Sequence, residues 1–521
     1  MKVGVHIEVE ARQVPPGEER EFLRAHAARA CGLREEEVLA VEIHRRSLDA
    51  RQKPRVKILY SLAVEVRPGA VPRRAVDPAP REAVYPEPRN LSGLQGPLVV
   101  GTGPAGLFGA LVLAMAGCHP VVVERGRDVT RRERDIRHFF QSRCLNPESN
   151  LLFGEGGAGT WSDGKLFTRV RDPRARFVLE TFVAAGAPPE ILYYAHPHVG
   201  SDLLPGVVAA IRNRILQLGG TFLWDTRVEA VEGEERFQRL KLQDGTALEG
   251  PAALVACGHS ARDLIQQMAG KVQVAMKGFQ LGCRIEHPQA FVNQTQFGME
   301  HPWPALGPAE YLFSRHDDAR GPGATTFCMC PGGEIIPATC TEGTLCTNGM
   351  SNSTRNGPFA NSAIISTLPE NTFPSPREAF LFLHDLERRA FTMGEKPYCA
   401  PAQTACAFLQ GESKPLPKES SYRLGLTPAR LDALLPPPVR DALQLALREF
   451  HRKAPGFLHQ GTLVGVETRV SSPVRFLRNP NTLQTSMEGL YVAGEGGGMA
   501  GGIVSAAIDG MKMAEKILGM P

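Results

Sequence analysis

The sequence contains no uninterrupted run of about 18 apolar residues, the minimum for a membrane-spanning helix. Its start, Met1-Lys-Val-Gly-Val-His-Ile-Glu-Val-Glu10, alternates like a strand. It lacks the basic stretch and apolar run of a signal peptide. Neither charge sign dominates: 59 Lys and Arg against 55 Asp and Glu leave +4 over 521 residues. That balance gives no case for a nucleic-acid or membrane partner. No CxxC spacing occurs among the eleven scattered cysteines. An odd count without such spacing argues against a disulfide framework and fits a reduced, cytoplasmic setting. What the chain does hold in quantity is glycine, 53 residues, much of it gathered in three segments.

A chain of 521 residues exceeds one core, so two or three domains are expected. Residues 1–67 read as a small α+β domain. Lys2–Val9, Val38–His44 and Val56–Val66 have strand periodicity, and Pro16–Ala30 is an amphipathic helix. Its basic segment, Arg45-Arg-Ser-Leu-Asp-Ala-Arg51-Gln-Lys53, reads as a solvated hairpin rim, with a docking patch as the alternative. Residues 68–95 are rich in Pro and Arg and form an extended linker. Residues 96–270 carry the first part of a nucleotide-binding domain, and residues 466–521 return to it. Residues 271–465 mix β-like runs with Gly, Pro and Asn turns, then helices at 376–392 and 428–452, and form a candidate substrate domain.

The first glycine segment is Val99-Val-Gly-Thr-Gly-Pro-Ala-Gly106, between an apolar strand and a helix. Gly101 permits the tight turn, Gly103 lets backbone approach a pyrophosphate, and Gly106 lets helix and strand pack closely. Pro104 and Ala105 open the helix, whose positive end faces the phosphates. Glu124, ending the next strand at Pro120-Val-Val-Val-Glu, is placed to accept both hydroxyls of an adenosine ribose, with Arg125 beside it. These features predict an adenine dinucleotide, FAD or NAD.

The second segment, Phe153-Gly-Glu-Gly-Gly-Ala-Gly159-Thr-Trp-Ser-Asp-Gly-Lys165, suggests backbone lying against a phosphate or flat ring. Gly157, Gly159, Thr160, Ser162 and Lys165 are its candidate contacts, the hydroxyls serving as donors. The third is a strand, a turn and a helix near the end of the chain: Gly494, Glu495, Gly501, Gly502 and Ile503. There an acidic residue can accept from a ribityl chain, and a helix N-terminus can face a flavin's pyrimidine edge. A nicotinamide-only dehydrogenase needs no such segment, so FAD is favoured. Between these segments a helix, a strand, a run of short strands from Val228 and a buried strand closing at Gly258 continue the pattern. A second nucleotide-binding βαβ unit is not visible, which leaves NAD(P)H as a transient electron donor.

Lys277, Glu467 and Arg469 are candidate catalytic groups of the pocket wall. Cys328-Met-Cys330 reads as two buried reduced thiols on a strand, with a strained local disulfide as the alternative. A metal cluster with Cys340 and Cys346 is weak without paired knuckles. No metal is expected, and His259 reads as a cap or a cofactor neighbour.

Six motifs carry a resemblance: FGEGGAGTWSDGKL (153–166), MKGFQLGCRIEHPQ (276–289), CMCPGG (328–333), TNGMS (347–351), GVETRVSSPVR (465–475) and GLYVAGEGGGMAGGIVSAAIDG (489–510). Together with RRSLDARQK (45–53), they make the chain similar to a bacterial and plastid family of uncharacterised FAD-dependent dehydrogenases. The resemblance implies a glutathione-reductase-type, Rossmann-like three-layer FAD fold. It also implies an inserted, mainly antiparallel substrate domain and an N-terminal α+β extension. It carries cofactor binding over to Gly101, Gly103, Gly106, Glu124, Glu495 and the adjacent glycines, but no substrate. Gly498 and Met499 depart from the family's more usual Ala or Gly followed by Tyr. The expected activity is hydride transfer between FAD and a small molecule. The alternatives are a flavin monooxygenase and a non-catalytic FAD-binding regulatory or RNA-associated protein. The sequence leaves the oligomeric state open.

Overall fold

The structure, a computed structural model, describes residues 2–73, 84–316 and 323–520. The Asp77-Pro-Ala-Pro part of the Pro-rich segment lies outside them.

Five short, β-branched or apolar strands form a parallel sheet in the order Leu490–Val492, Ala253–Val255, Leu98–Val100, Val121–Val123, Thr221–Leu223. Alternation along each strand splits the side chains between two faces. Val99, Val122 and Leu254 pack with the helices Pro104–Met115 and Ile503–Ile517. Val100, Val123 and Val255 face the other way, toward a core that includes Val228, Val231 and Leu240 of a three-stranded antiparallel sheet. The result is a three-layer α/β arrangement of helices, parallel sheet and antiparallel sheet, as the resemblance implies. Small residues set its tightness: a methyl group on Gly510 would sit 1.9 Å from the carbonyl oxygen of Ala105.

The inserted region builds a seven-stranded sheet, antiparallel except where Ala400–Thr404 pairs with Leu426–Pro428. Phe279–Pro288 is central to it, flanked by Phe359–Leu368 and Thr462–Glu467. A division at residue 465 therefore cuts a strand, since Glu467 is in register with Gly282. The chain crosses between the two regions through a two-stranded ribbon, Val274–Met276 against Val474–Phe476. The helix expected over 428–452 is two: Leu431–Leu434 and Pro437–Lys453. Proline cannot continue a helix but is well suited to its first turn, so Pro436-Pro-Pro438 ends one and starts the other.

The N-terminal unit is a three-stranded sheet, Lys2–Glu10, Lys57–Val66 and Val38–Asp49, with the helix Glu19–Cys31 against it. The last strand runs through the basic segment instead of stopping before it. Arg46 is buried there, not solvated. It donates to Glu19 at 2.9 Å and to the carbonyl of Ala305, and it lies 4.7 Å from the ring centre of Tyr194. The segment is thus half rim and half clamp, because Arg51 to Arg55 remain exposed.

Candidate functional site: a glycine-lined cradle

The three glycine segments converge. Gly157 lies against Gly103, where a methyl group would come 3.2 Å from Cα. Gly159 sits between Ile503 and Pro104, at 3.6 and 3.9 Å from their side chains by the same measure. Gly494 packs on Ala105 at 3.1 Å. The glycines of the dinucleotide turn differ in what demands them. A methyl group at Gly106 would lie 1.9 Å from the Gly101 carbonyl oxygen, and one at Gly101 would lie 2.6 Å from that of Ala256. One at Gly103 would meet nothing within 4 Å. The first two are required by the protein itself, whereas Gly103 borders open space.

Two helix N-termini meet at this space. Neither Gly103, before Pro104–Met115, nor Gly502, before Ile503–Ile517, supplies a side-chain cap. Their first-turn N–H groups and positive dipole ends are free for an anionic or electron-rich ligand. On the rim, His259 Nδ1 pairs with Glu495 at 3.0 Å, while its Nε2 is buried without a partner. A buried orphan donor or acceptor is costly unless a ligand satisfies it. These features fit an adenine dinucleotide that carries a flavin.

Several sequence expectations shift in detail. Glu124 is 5 % exposed, and its carboxylate is already filled by four donors of its own chain. Thr102 donates through N and Oγ1 at 2.9 and 2.6 Å, Gly126 N at 3.0 Å and Gly154 N at 3.1 Å. It ties the second glycine segment to the first instead of offering oxygens to a ribose. The hydroxyls of Thr160 and Ser162 likewise close their own loop, donating to Glu155 O and Gly159 O. Lys165 pairs with Asp163 and donates to Met329 O, joining the cradle to the bulged strand Ala324–Cys330. Arg125 donates to Glu148 at 2.6 Å and Asp263 at 3.2 Å, and its guanidinium lies 4.0 Å from the ring centre of Phe153. Gly258 packs against Gly496, and Val228 pairs with Leu242 in the outer sheet.

The three expected catalytic groups are not one cluster. Lys277 lies where Arg475 and Glu495 act on it. Burial and the Arg475 charge hold its amine below the usual range, with Glu495 pulling the other way. Glu467 is instead buried against Arg284, 3.2 Å away, inside the seven-stranded sheet. Burial raises its carboxyl above the usual range, and Arg284 opposes that. Arg469 is buried and donates to Glu387 at 3.0 Å, while its Nε and Nη1 lack partners. Glu387 also receives Arg262 at 2.7 and 3.2 Å and the Thr468 hydroxyl at 2.6 Å. Burial works against this carboxylate, but the two guanidiniums bring it down to about 2. Sequence reasoning missed Glu387, although a signal exists. It is a charge on the buried face of Pro376–Met393, between Leu383, Leu386 and Ala390.

All eleven cysteines are free. Cys330 is buried, but Cys328 is exposed, because a bulge interrupts the strand and turns Cys328 to a φ of 44°. Among the described residues, no three His, Cys, Asp or Glu side chains group as metal ligands. Among the described residues, no helix is long and apolar enough to cross a membrane.

Residues 278–470 match the C-terminal domain of FAD-dependent proteins, and residues 8–65 match a domain of unknown function. An uncharacterized protein of Clostridium beijerinckii is 38 % identical over 502 residues, 93 % of each chain. The chain belongs to the same family as that protein. Its residues 278–470 carry the domain described for FAD-dependent proteins, and FAD is a ligand that the cradle fits. Among solved structures, the myxobacterial chondrochloren halogenase aligns with 81 % of this chain and 72 % of its own, at 11 % identity and a TM-score of 0.34. Glycine oxidase from Bacillus cereus aligns with 82 % of this chain and 97 % of its own, at 10 % identity and a TM-score of 0.33. Likenesses this distant say nothing about the family's chemistry.

Proposed function

We propose that this protein is an FAD-dependent oxidoreductase passing hydride between the flavin and a small molecule. The observation that supports this best is the meeting of three sequence-distant glycine segments at two uncapped helix N-termini. The open side of Gly103 and the first turn of Pro104–Met115 would hold the pyrophosphate. Glu495, positioned by His259, would accept from the ribityl chain. The N-terminal turn of Ile503–Ile517 would stabilise negative charge at the flavin's pyrimidine edge. FAD, when bound, supplies the hydride chemistry; the chain's part is to bind, orient and exclude water. Gly154 to Gly159, held down by Glu124 and by the buried Arg132, which donates to Asn150, Glu155 and Gly157 carbonyls, cover the pyrophosphate turn. Lys277, near Glu495 and with its amine below the usual range, would hold or release a proton beside the ring. Glu467 would position the sheet, and neither it nor Arg469 would meet the reacting atoms. NAD(P)H would serve as a transient donor.

The test is direct. The purified protein carries close to one FAD per chain, visible in its absorbance, and anaerobic NAD(P)H bleaches it. A colourless protein that neither binds added FAD nor melts higher in its presence sinks the reading.

A further inference from the structure

Beside the cradle, a cavity of about 280 Å³ opens between the loop and helix after strand Ala253–Val255 and the helix Pro376–Met393 of the inserted region. Three guanidiniums line it, those of Arg125, Arg262 and Arg469, against a single carboxylate, that of Asp263. Ser260, Thr341 and His384 add hydrogen-bonding groups. Phe153, Phe380 and Leu381 supply apolar wall.

Arg469 decides what this cavity is for. Its side chain is 2 % exposed, and it spends one nitrogen on Glu387. Nε and Nη1 are buried and have no acceptor. Glu387 cannot supply one, because Arg262 already binds it through both terminal nitrogens and Thr468 donates to it as well. A guanidinium is a planar fork suited to bidentate oxyanions, and leaving buried charged donors unpaired costs several kcal/mol. The missing partner is an acceptor that enters from outside the chain.

The position of the cavity says what that acceptor is attached to. His259 faces Glu495 on the cradle rim, and the next residue, Ser260, lines the cavity. One loop therefore separates the two spaces. We propose that this cavity is the subsite for the anionic head group, carboxylate or phosphate, of the small molecule on which the enzyme acts, with Arg469 as its main ligand and Arg262 and Arg125 as flanking charges. The identity of that molecule as substrate rests on the flavin reading of the cradle; the anion site itself does not.

The test uses the full chain with FAD content measured separately from its absorbance. Benzoate and inorganic phosphate are titrated at fixed ionic strength, and binding is read as a saturable rise in melting temperature. Arg469→Lys keeps a cation for Glu387 but removes the free fork. It is expected to weaken binding of the effective anion at least tenfold while FAD per chain stays unchanged. Thr341→Trp, at an exposed wall position, blocks the cavity without touching the Glu387 cluster, and is expected to weaken binding similarly even if Arg469→Lys folds poorly. Saturation by benzoate marks a carboxylate ligand, and saturation by phosphate marks a phosphoryl one. The proposal is overturned if neither anion saturates the wild-type protein, or if both variants bind as it does. Loss of FAD in the Arg469→Lys or Thr341→Trp protein would overturn it too, by making the cavity part of the dinucleotide site. Absence of FAD with anion binding intact would instead remove the flavin reading and leave the anion site standing.

Discussion

Replacing Glu387 with glutamine tests the electrostatics of the inserted region at one point. Glu387 is fully buried, and its partners Arg262 and Arg469 have side chains only 12 % and 2 % exposed. Glutamine keeps the volume but removes the negative charge that sits between those two guanidiniums, and its amide N–H₂ turns donors toward donors. Removing one member of a buried ion cluster typically costs about 3–5 kcal/mol. The direction in which its neighbours move the carboxyl points to the same scale. The carboxyl falls from 4.5 to about 2 on folding, worth about 3 kcal/mol. Because the folded value is the lower one, this stability is present in full above pH 4.5. It drains away as the pH falls through about 2. Thermal unfolding of Glu387→Gln at pH 7, followed through the transition that contains the seven-stranded sheet, should therefore fall by on the order of 10 °C. As the pH falls from about 4.5 toward about 2, the wild-type protein should lose stability faster than the variant, so that the two melting curves approach each other. A variant that melts within about 2 °C of wild type at pH 7, or acid limbs that run parallel, would show that the cluster is not the charged assembly described.

Four further substitutions separate the roles of individual residues. Gly103→Ala should leave the melting temperature of the FAD-free protein unchanged while weakening FAD binding at least tenfold by fluorescence titration, because its new methyl group points into open space. Gly106→Ala should lower both, since its methyl group has the Gly101 carbonyl 1.9 Å away. His259→Ala strips Glu495 of its partner and removes the orphan Nε2, and should weaken FAD by about tenfold, or about 1.4 kcal/mol; equal affinity would place the imidazole outside the site. Arg46→Ala removes the clamp to Ala305 and Tyr194, so limited proteolysis should release the N-terminal unit faster from the variant at an unchanged rate of cleavage elsewhere.

What could be read from the sequence followed from local chemistry. Gly101 and Gly106 of the strand–turn–helix are specified within about thirty residues, because backbone sterics require them. The apolar strand before Gly101 was legible too, but its unbroken Leu98-Val-Val run did not show which core each of Val99 and Val100 enters. What was not legible depends on distant partners. Glu124 sits where a ribose acceptor belongs, and only the fold shows Gly154 N taking up its oxygen from thirty residues away. Glu467 and Arg469 share one eleven-residue motif, yet the strand carries Glu467 to Arg284 and the turn after it carries Arg469 to Glu387. In the sequence, Gly498 is a departure from the family's more usual residue that bears on a flavin-edge contact. In the fold its φ is 73°, and a methyl group there would meet the Val474 carbonyl oxygen at 2.1 Å. Here this chain requires glycine, for reasons located in the crossing ribbon.

The segment from His259 to Asp263 links the two spaces mechanically. His259 pairs with Glu495 at the cradle, and Ser260 borders the anion cavity. Arg262 grips Glu387 of the inserted region, and Asp263 receives Arg125 from the end of the second parallel strand. Four of five consecutive residues thus report to four different parts of the site. A ligand that satisfies Arg469 would lessen the pull of that guanidinium on Glu387 and leave Arg262 as its chief partner, which bears directly on the loop that holds His259. Occupancy of the cavity and the hold on Glu495 are therefore coupled through a short stretch of backbone and do not require a long path. Linkage then demands reciprocity. If an anion in the cavity tightens FAD, FAD must tighten the anion by the same factor. Arg262→Met, which removes the grip on Glu387 while leaving His259 and Arg469 in place, should bring that factor to one. Titrating benzoate or phosphate with and without bound FAD measures the factor in both proteins. A wild-type factor of one would mean that the two spaces are neighbours and nothing more.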